Sequence, residues 1–166
     1  MMTCKNSVRW LYRLKRNFTW ESKSPISEDL VFRDKNGTVR LIIEADGKIT
    51  VTEGYAWNGC SPKVCVFDFL LGTPEGVVYA PTEKRKTYFA SLMHDALYQF
   101  LPDGLPFQRR HADRFFLVLL GESEFAPRRL YWAAVRLFGG LVWRATRRKR
   151  QTRGQRNRVA ELFSAS

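Results

Sequence analysis

The sequence predicts an α+β fold: an N-terminal antiparallel β meander, then a set of antiparallel α-helices, then a basic C-terminal tail. Three observations carry this: Asn-Gly and Asp-Gly pairs between β-branched runs, apolar stretches opened by proline, and positive charge gathered at the C-terminal end. At 166 residues with 45% hydrophobic content, the chain is long enough for one buried core. The expected organisation is a single globular domain over residues 1–146 and a tail over 147–166. Within the domain the meander occupies 30–56, a long loop 57–82 and the helices 83–146.

Residues 1–20 place Trp10, Leu11, Leu14 and Phe18 at helix-like spacing, but Trp20 and the interspersed bases suit a strand equally well. From Leu30 the texture becomes LVFRD, KNG, TVRLIIEA, DGK, ITVTEGYAW. Asn36-Gly37 and Asp46-Gly47 supply the positive backbone angles that tight hairpins need, so three antiparallel strands are expected, ending near Tyr55. In residues 57–82 Gly, Pro and Asn recur too often for a regular element, which predicts an ordered loop, and loops of this length are usually functional. Thr82 is positioned to cap a helix from about Glu83 to Leu101, closed by Pro102-Asp103-Gly104. Pro106 opens a second helix to about Gly121, and Pro127 a third with Leu130, Ala133, Ala134, Leu137 and Leu141 on one stripe. No repeat period is present.

The formal charge is +12. Residues 144–166 hold eight cations (Arg144, Arg147, Arg148, Lys149, Arg150, Arg153, Arg156, Arg158) against Glu161, a net +7 that leaves +5 elsewhere. Such a run seeks phosphate, on nucleic acid, lipid headgroups or an acidic protein. It reads equally as a solvated, partly disordered extension. Cys4, Cys60 and Cys65 form neither a disulfide framework nor a zinc set. The N-terminus lacks the apolar core and cleavage site of a signal peptide, and the most apolar run, Leu130–Trp143, is too short to span a bilayer. The expected location is therefore a reducing cytosol.

His94 and Tyr98, four apart, share one helix face, while Asp95 points about 100° away. The short link at 101–106 makes the next helix antiparallel, which can bring Asp113 alongside His94 and Tyr98. A carboxylate beside an imidazole orients it and stabilises its protonated form, as a histidine base acting on water requires. Asp95 can meet the Trp57-Asn58-Gly59 loop, where an amide oxygen and backbone carbonyls are the hard ligands that calcium prefers. Taken singly, a His-Asp dipeptide is most often structural, and the signal lies in the ordered set. His111, two residues from Asp113 and so on another face, reads as a surface group. Trp57 and Trp132 read as core or rim aromatics, Phe115, Phe116 and Leu119 as core, and Cys60 as a buried thiol.

The motif His94-Asp95-Ala96-Leu97-Tyr98 resembles the catalytic helix of the phospholipase A2 superfamily, and His111-Ala112-Asp113-Arg114-Phe115-Phe116 resembles the helix that supplies its dyad aspartate. The similarity is greatest to the small bacterial and fungal secreted branch, whose calcium loop, proline and Phe-x-Phe pair correspond to Asn58-Gly59-Cys60, Pro62, Phe67 and Phe69. With the later helix Leu130–Gly140 it spans about residues 55–140. The whole arrangement, strands, then Trp57-Asn58-Gly59-Cys60-Ser61-Pro62, then the two helices, also resembles the phage family known as domain of unknown function 1353, which implies a location in the host cytoplasm or a virion.

The resemblance implies a phospholipase A2-like helical core. His94 would be the water-activating base, Asp113 its orienting partner and Tyr98 a donor to Asp113. Calcium would be held by Asp95, the Asn58 side chain and the Gly59 carbonyl, and would polarise the ester carbonyl. Asn58 stands where those enzymes carry aspartate, so the implied ligand set lacks one negative charge. Ser91 stands where the secreted enzymes have the cysteine that pairs with the calcium-loop cysteine. The implied function is a calcium-assisted lipid ester hydrolase acting at a phospholipid or anionic membrane surface. The alternatives are an inactive or repurposed scaffold that works in a virion or tail or against host or other virion proteins, and nucleic-acid binding through residues 144–158.

Overall fold

The computed structural model describes residues 12–60, 63–66, 69–72 and 75–137, with residues 63–72 described by backbone alone. The α+β class is observed, with antiparallel sheets and three α-helices among these residues.

The central sheet has four strands. The expected meander is present as β3 (Leu30–Arg33), β4 (Val39–Ile43) and β5 (Lys48–Val51). The segment left open between helix and strand supplies β1 (Tyr12–Arg13) and β2 (Phe18–Glu21), and β2 extends the sheet to the order β2-β5-β4-β3. Both predicted turns form. Gly37 and Gly47 take φ of +79° and +90°, and Asp34 Oδ1 accepts the amides of Asn36 and Thr38 at 2.8 and 3.1 Å. At Gly47 a side chain would also meet the Ser24 backbone at 3.0 Å. After β5 the chain turns into β6 (Ala56–Trp57), which pairs with β1 and delivers residues 58–60 to the helices.

The stretch 57–82 is more regular than expected. It contains a hairpin of β7 (Lys63–Val66) and β8 (Phe69–Gly72), then β9 (Val78–Tyr79), paired with β10 (Lys84–Arg85). Short runs rich in Val, Leu and Phe between the breakers are sufficient for two-stranded ladders. The helix expected from Glu83 begins later, as α1 (Tyr88–Phe100), because Glu83 takes φ of +54° and Lys84–Arg85 joins β9. Thr82 therefore caps nothing, and its hydroxyl donates to the Tyr79 carbonyl instead. A 3-10 turn, Leu101–Asp103, ends at Gly104 with φ of +90°. Next comes α2 (Arg109–Glu122), three residues past Pro106, with Gln108 as cap and His111 Nδ1 accepting the Gln108 amide at 3.0 Å. A third helix, α3, covers residues 128–137 directly after Pro127. Its predicted stripe is corrected. Leu130 and Leu137 are exposed, and Val135 carries the burial. Leu141, the end of the helical span to 146 and the basic tail lie outside the described residues.

Leu41, Ile43, Ile49 and Val51 from the sheet join Leu92, Met93, Ala96 and Leu97 from α1 in one fully buried core. Each of these Leu, Ile, Val and Met side chains contributes roughly 1.5–3 kcal/mol by leaving water. Phe115, Phe116 and Leu119 line the buried face of α2, as expected. The two helices run antiparallel: Tyr98 meets Arg109 and Asp113, whereas His94, a turn earlier on α1, meets Asp113 and Phe116 farther along α2.

Candidate functional site

The seam between α1 and α2 brings three of the predicted residues together. His94 Nε2 lies 3.1 Å from Asp113 Oδ1, and the Tyr98 hydroxyl donates to the same oxygen at 2.5 Å. The Asp113 side chain has no exposed surface and the His94 side chain only 11%. Because Nε2 faces a carboxylate, the proton belongs on Nε2 in the neutral ring, and Nδ1 is the basic nitrogen. Asp95, adjacent in sequence and turned round the helix, stands with Oδ1 3.9 Å from that Nδ1, its side chain 29% exposed. The two carboxylates thus bracket the imidazole.

Electrostatics follow from this geometry. Burial pushes the His94 pKa down, but hydrogen bonding to Asp113 and the nearby Asp95 charge outweigh it, leaving the pKa above the ordinary 6.5. Burial pushes Asp113 up, yet contacts with His94, Tyr98 and Arg136 hold its carboxyl below the usual 3.8. The Tyr98 phenol is pushed up by burial and by the neighbouring carboxylate, so it stays a donor.

Two further neighbours of the cluster were not legible in the sequence. Arg136 from α3 donates through Nη1 to Asp113 Oδ2 at 2.9 Å. Arg109 donates through Nε to the Tyr98 hydroxyl at 2.8 Å, lies 3.6 Å from Asp113 Oδ2, and reaches the Val135 and Arg136 carbonyls through Nη2. Arg109 precedes Asp113 by four on α2, a helix-neighbour spacing that could have flagged it. Nothing local in sequence points from Asp113 to Arg136.

Asn58 and Gly59 lie in the loop after β6, with Gly59 at φ of +73°. The loop is held by a residue that the sequence reading passed over. Glu75 Oε1 accepts the Cys60 amide at 3.0 Å, and its Oε2 accepts the Thr87 hydroxyl at 2.9 Å. A Cβ at position 59 would fall 2.2 Å from Glu75 Oε1, so only glycine admits that carboxylate. Cys60 is buried, and Trp57, fully buried, donates through Nε1 to the Ser91 hydroxyl at 3.2 Å. Ser91 is therefore a packing partner of the loop strand. Among the described residues no cluster of three or more His, Cys, Asp or Glu side chains is arranged to hold a metal ion, and no helix is long and apolar enough to cross a membrane. A scan against protein-family models, a search of curated proteins and a search of solved structures return no match to this chain.

Proposed function

We propose that this chain is a phage phospholipase A2-like protein that hydrolyses an acyl ester of a phospholipid, with His94 and Asp113 as the dyad that activates water. One observation supports it above the rest: a nearly buried imidazole is clamped through Nε2 by a fully buried carboxylate, which leaves Nδ1 as the acceptor. Water presented to Nδ1 loses a proton there as its oxygen attacks the acyl carbon. His94 returns the proton to the departing alkoxide, and Asp113 stabilises the imidazolium in between. Tyr98 fixes the Asp113 oxygen that accepts from His94.

The donor chemistry of Asp95, the Asn58 amide oxygen and the Gly59 carbonyl fits calcium, though with a single carboxylate and so at the weak end of known affinities. When bound, the ion would polarise the ester carbonyl. The basic run at 144–158 would retain the chain on anionic membrane or, alternatively, on nucleic acid. The test is fatty-acid release from mixed phosphatidylcholine and phosphatidylglycerol vesicles, with calcium or with chelator. Release that needs calcium and disappears in His94→Ala, at an unchanged melting temperature, is the expected outcome. No release in either protein would sink the hydrolase reading.

The second reading is a repurposed, non-catalytic scaffold with a virion, tail or host-interaction role. It is favoured by Arg109 and Arg136, which already face Asp113 and tie three helices together through it. On that reading His94→Ala costs stability and no activity exists to lose.

A further inference from the structure

An open cleft of about 850 Å³ lies between the β1–β2 segment and the β9–β10 hairpin, over the first turn of α1. Its volume falls within the roughly 300–1,000 Å³ common for ligand sites. Arg13, Lys15 and Arg16 line one side and Lys84 and Arg85 the other, with Glu83 as the only acid among the described lining residues. All six side chains are exposed. Two of the cations are oriented: Arg85 Nη1 donates to the Gly76 carbonyl at 3.1 Å, and Lys84 Nζ stands 5.8 Å from the centre of the Tyr88 ring. Between the cation rows lie partly exposed rings of Tyr12, Phe18 and Phe89, the last two stacked at 4.3 Å with 18° between planes. The cleft is separate from the His94 cluster, since Phe89 and His94 are five residues apart, about 140° round the helix.

We infer that this cleft is a binding site for single-stranded nucleic acid, with the cations on the phosphodiester backbone and the aromatic floor under the bases. Cation rows on both sides of a trough focus positive potential into it, which suits one extended polyanion. Partly exposed rings at the bottom offer the sequence-tolerant stacking surface that single strands, and not paired duplexes, present bases to. A bilayer is flat and engages protruding groups, so a concave floor suits it poorly. Exposed Val77 and Val78 on the hairpin nevertheless make an anionic membrane the competing occupant.

The test is fluorescence anisotropy of a labelled oligothymidylate titrated with the full-length protein across a NaCl series. The cleft variant is Arg13→Gln with Lys15→Gln and Arg16→Gln. It is prepared both in the native chain and in a chain whose Arg147, Arg148, Lys149, Arg150, Arg153, Arg156 and Arg158 are changed to Gln, so that most of the tail's own attraction is removed. The cleft variant is expected to bind at least tenfold more weakly in both backgrounds, with the slope of log K against log salt shallower by about 2, from three contacts at roughly 0.7 each. Phe89→Leu should weaken binding without changing that slope. The inference fails if the cleft variant binds the oligonucleotide as tightly as its parent, or if a duplex competes as well as the single strand. It fails equally if the cleft changes abolish binding to phosphatidylglycerol vesicles while oligonucleotide binding stays intact, which would assign the cleft to a membrane. Vesicle hydrolysis by His94 is a separate readout, so loss of one activity does not decide the other.

Discussion

Asp113 accepts from Tyr98 and Arg136 and faces His94 and Arg109 from a position with no solvent contact. Removing its charge leaves buried His94 and the partly exposed Arg109 and Arg136 without their counter-ion, and breaking a buried pair in this way costs up to about 3–5 kcal/mol. Asp113→Asn should therefore lower the melting temperature by roughly 10 °C, at about 2–4 °C per kcal/mol for a chain of this size. His94 in that variant loses its hydrogen-bonded carboxylate and keeps only Asp95, so burial weighs more heavily and its pKa should fall below the native value. With only two histidines in the chain, the ring-proton NMR signals are readily separated, and an unchanged His94 titration would contradict the assigned contact. In the native protein the raised His94 pKa contributes stability that is complete below pH 6.5 and is lost as pH climbs through the folded value. The lowered Asp113 pKa contributes stability that is complete above pH 3.8 and is lost as pH falls through the folded value. The pair thus stabilises most between about pH 4 and 6.5, whereas under the proposed hydrolase function activity needs neutral His94 and should rise only above pH 6.5. At this scale much was legible in sequence. The 94, 98 and 113 positions follow from helix spacing and one short link. Arg136 was hidden because its approach depends on where α3 docks, which no local pattern encodes.

The loop carrying Asn58 and Gly59 depends on the close approach of Glu75. Gly59→Ala places a side chain at φ of +73° and inside the Glu75 carboxylate. The left-handed backbone costs about 1–2 kcal/mol, and displacing the carboxylate from the Cys60 amide costs roughly 1 more. Urea unfolding should show that total, and a variant as stable as the native protein would mean the loop is held otherwise. Arg109 acts between elements: Nε reaches α1 through Tyr98 while Nη2 reaches the carbonyls of α3. Arg109→Lys keeps the charge but cannot span both, so amides of residues 131–137 should exchange faster while those of α1 keep their protection. Element existence was read well where turn chemistry was explicit, as at Gly37 and Gly47, and poorly where it was not. The β9–β10 pair was invisible because two-residue strands carry no period, and it displaced the start of α1 from Glu83 to Tyr88. The apolar residues of α3 gave a plausible stripe that tertiary docking overrode, turning Val135 inward and Leu130 and Leu137 outward.

The molecule as a whole divides its labour between a sheet-and-helix core and an excess of positive charge. The core is one cluster in which β4, β5 and α1 supply fully buried aliphatic side chains, and α2 closes it with Phe116 and Leu120. Leu97 lies at its centre, so Leu97→Ala should cost about 2–5 kcal/mol, the usual range for a leucine cavity that cannot collapse. That range corresponds to a melting point lower by roughly 5–15 °C. Deleting residues 147–166 should instead leave the stability of the core nearly unchanged. The deleted segment holds Arg147, Arg148, Lys149, Arg150, Arg153, Arg156 and Arg158 against one glutamate, half of the net +12. Its removal relieves self-repulsion and takes none of the described core residues with it, so the melting temperature should stay within about 2 °C of native. Binding to phosphatidylglycerol vesicles should weaken strongly at low salt, and the difference from the native chain should shrink as the Debye length falls from about 30 Å at 0.01 M to about 3 Å at 1 M. Should the truncated chain melt many degrees earlier, the tail would be part of the fold, and the division of charge from core would have to be abandoned. Should it bind vesicles as the native chain does, the cations at 13, 15, 16, 84 and 85 would be left as the source of membrane attraction.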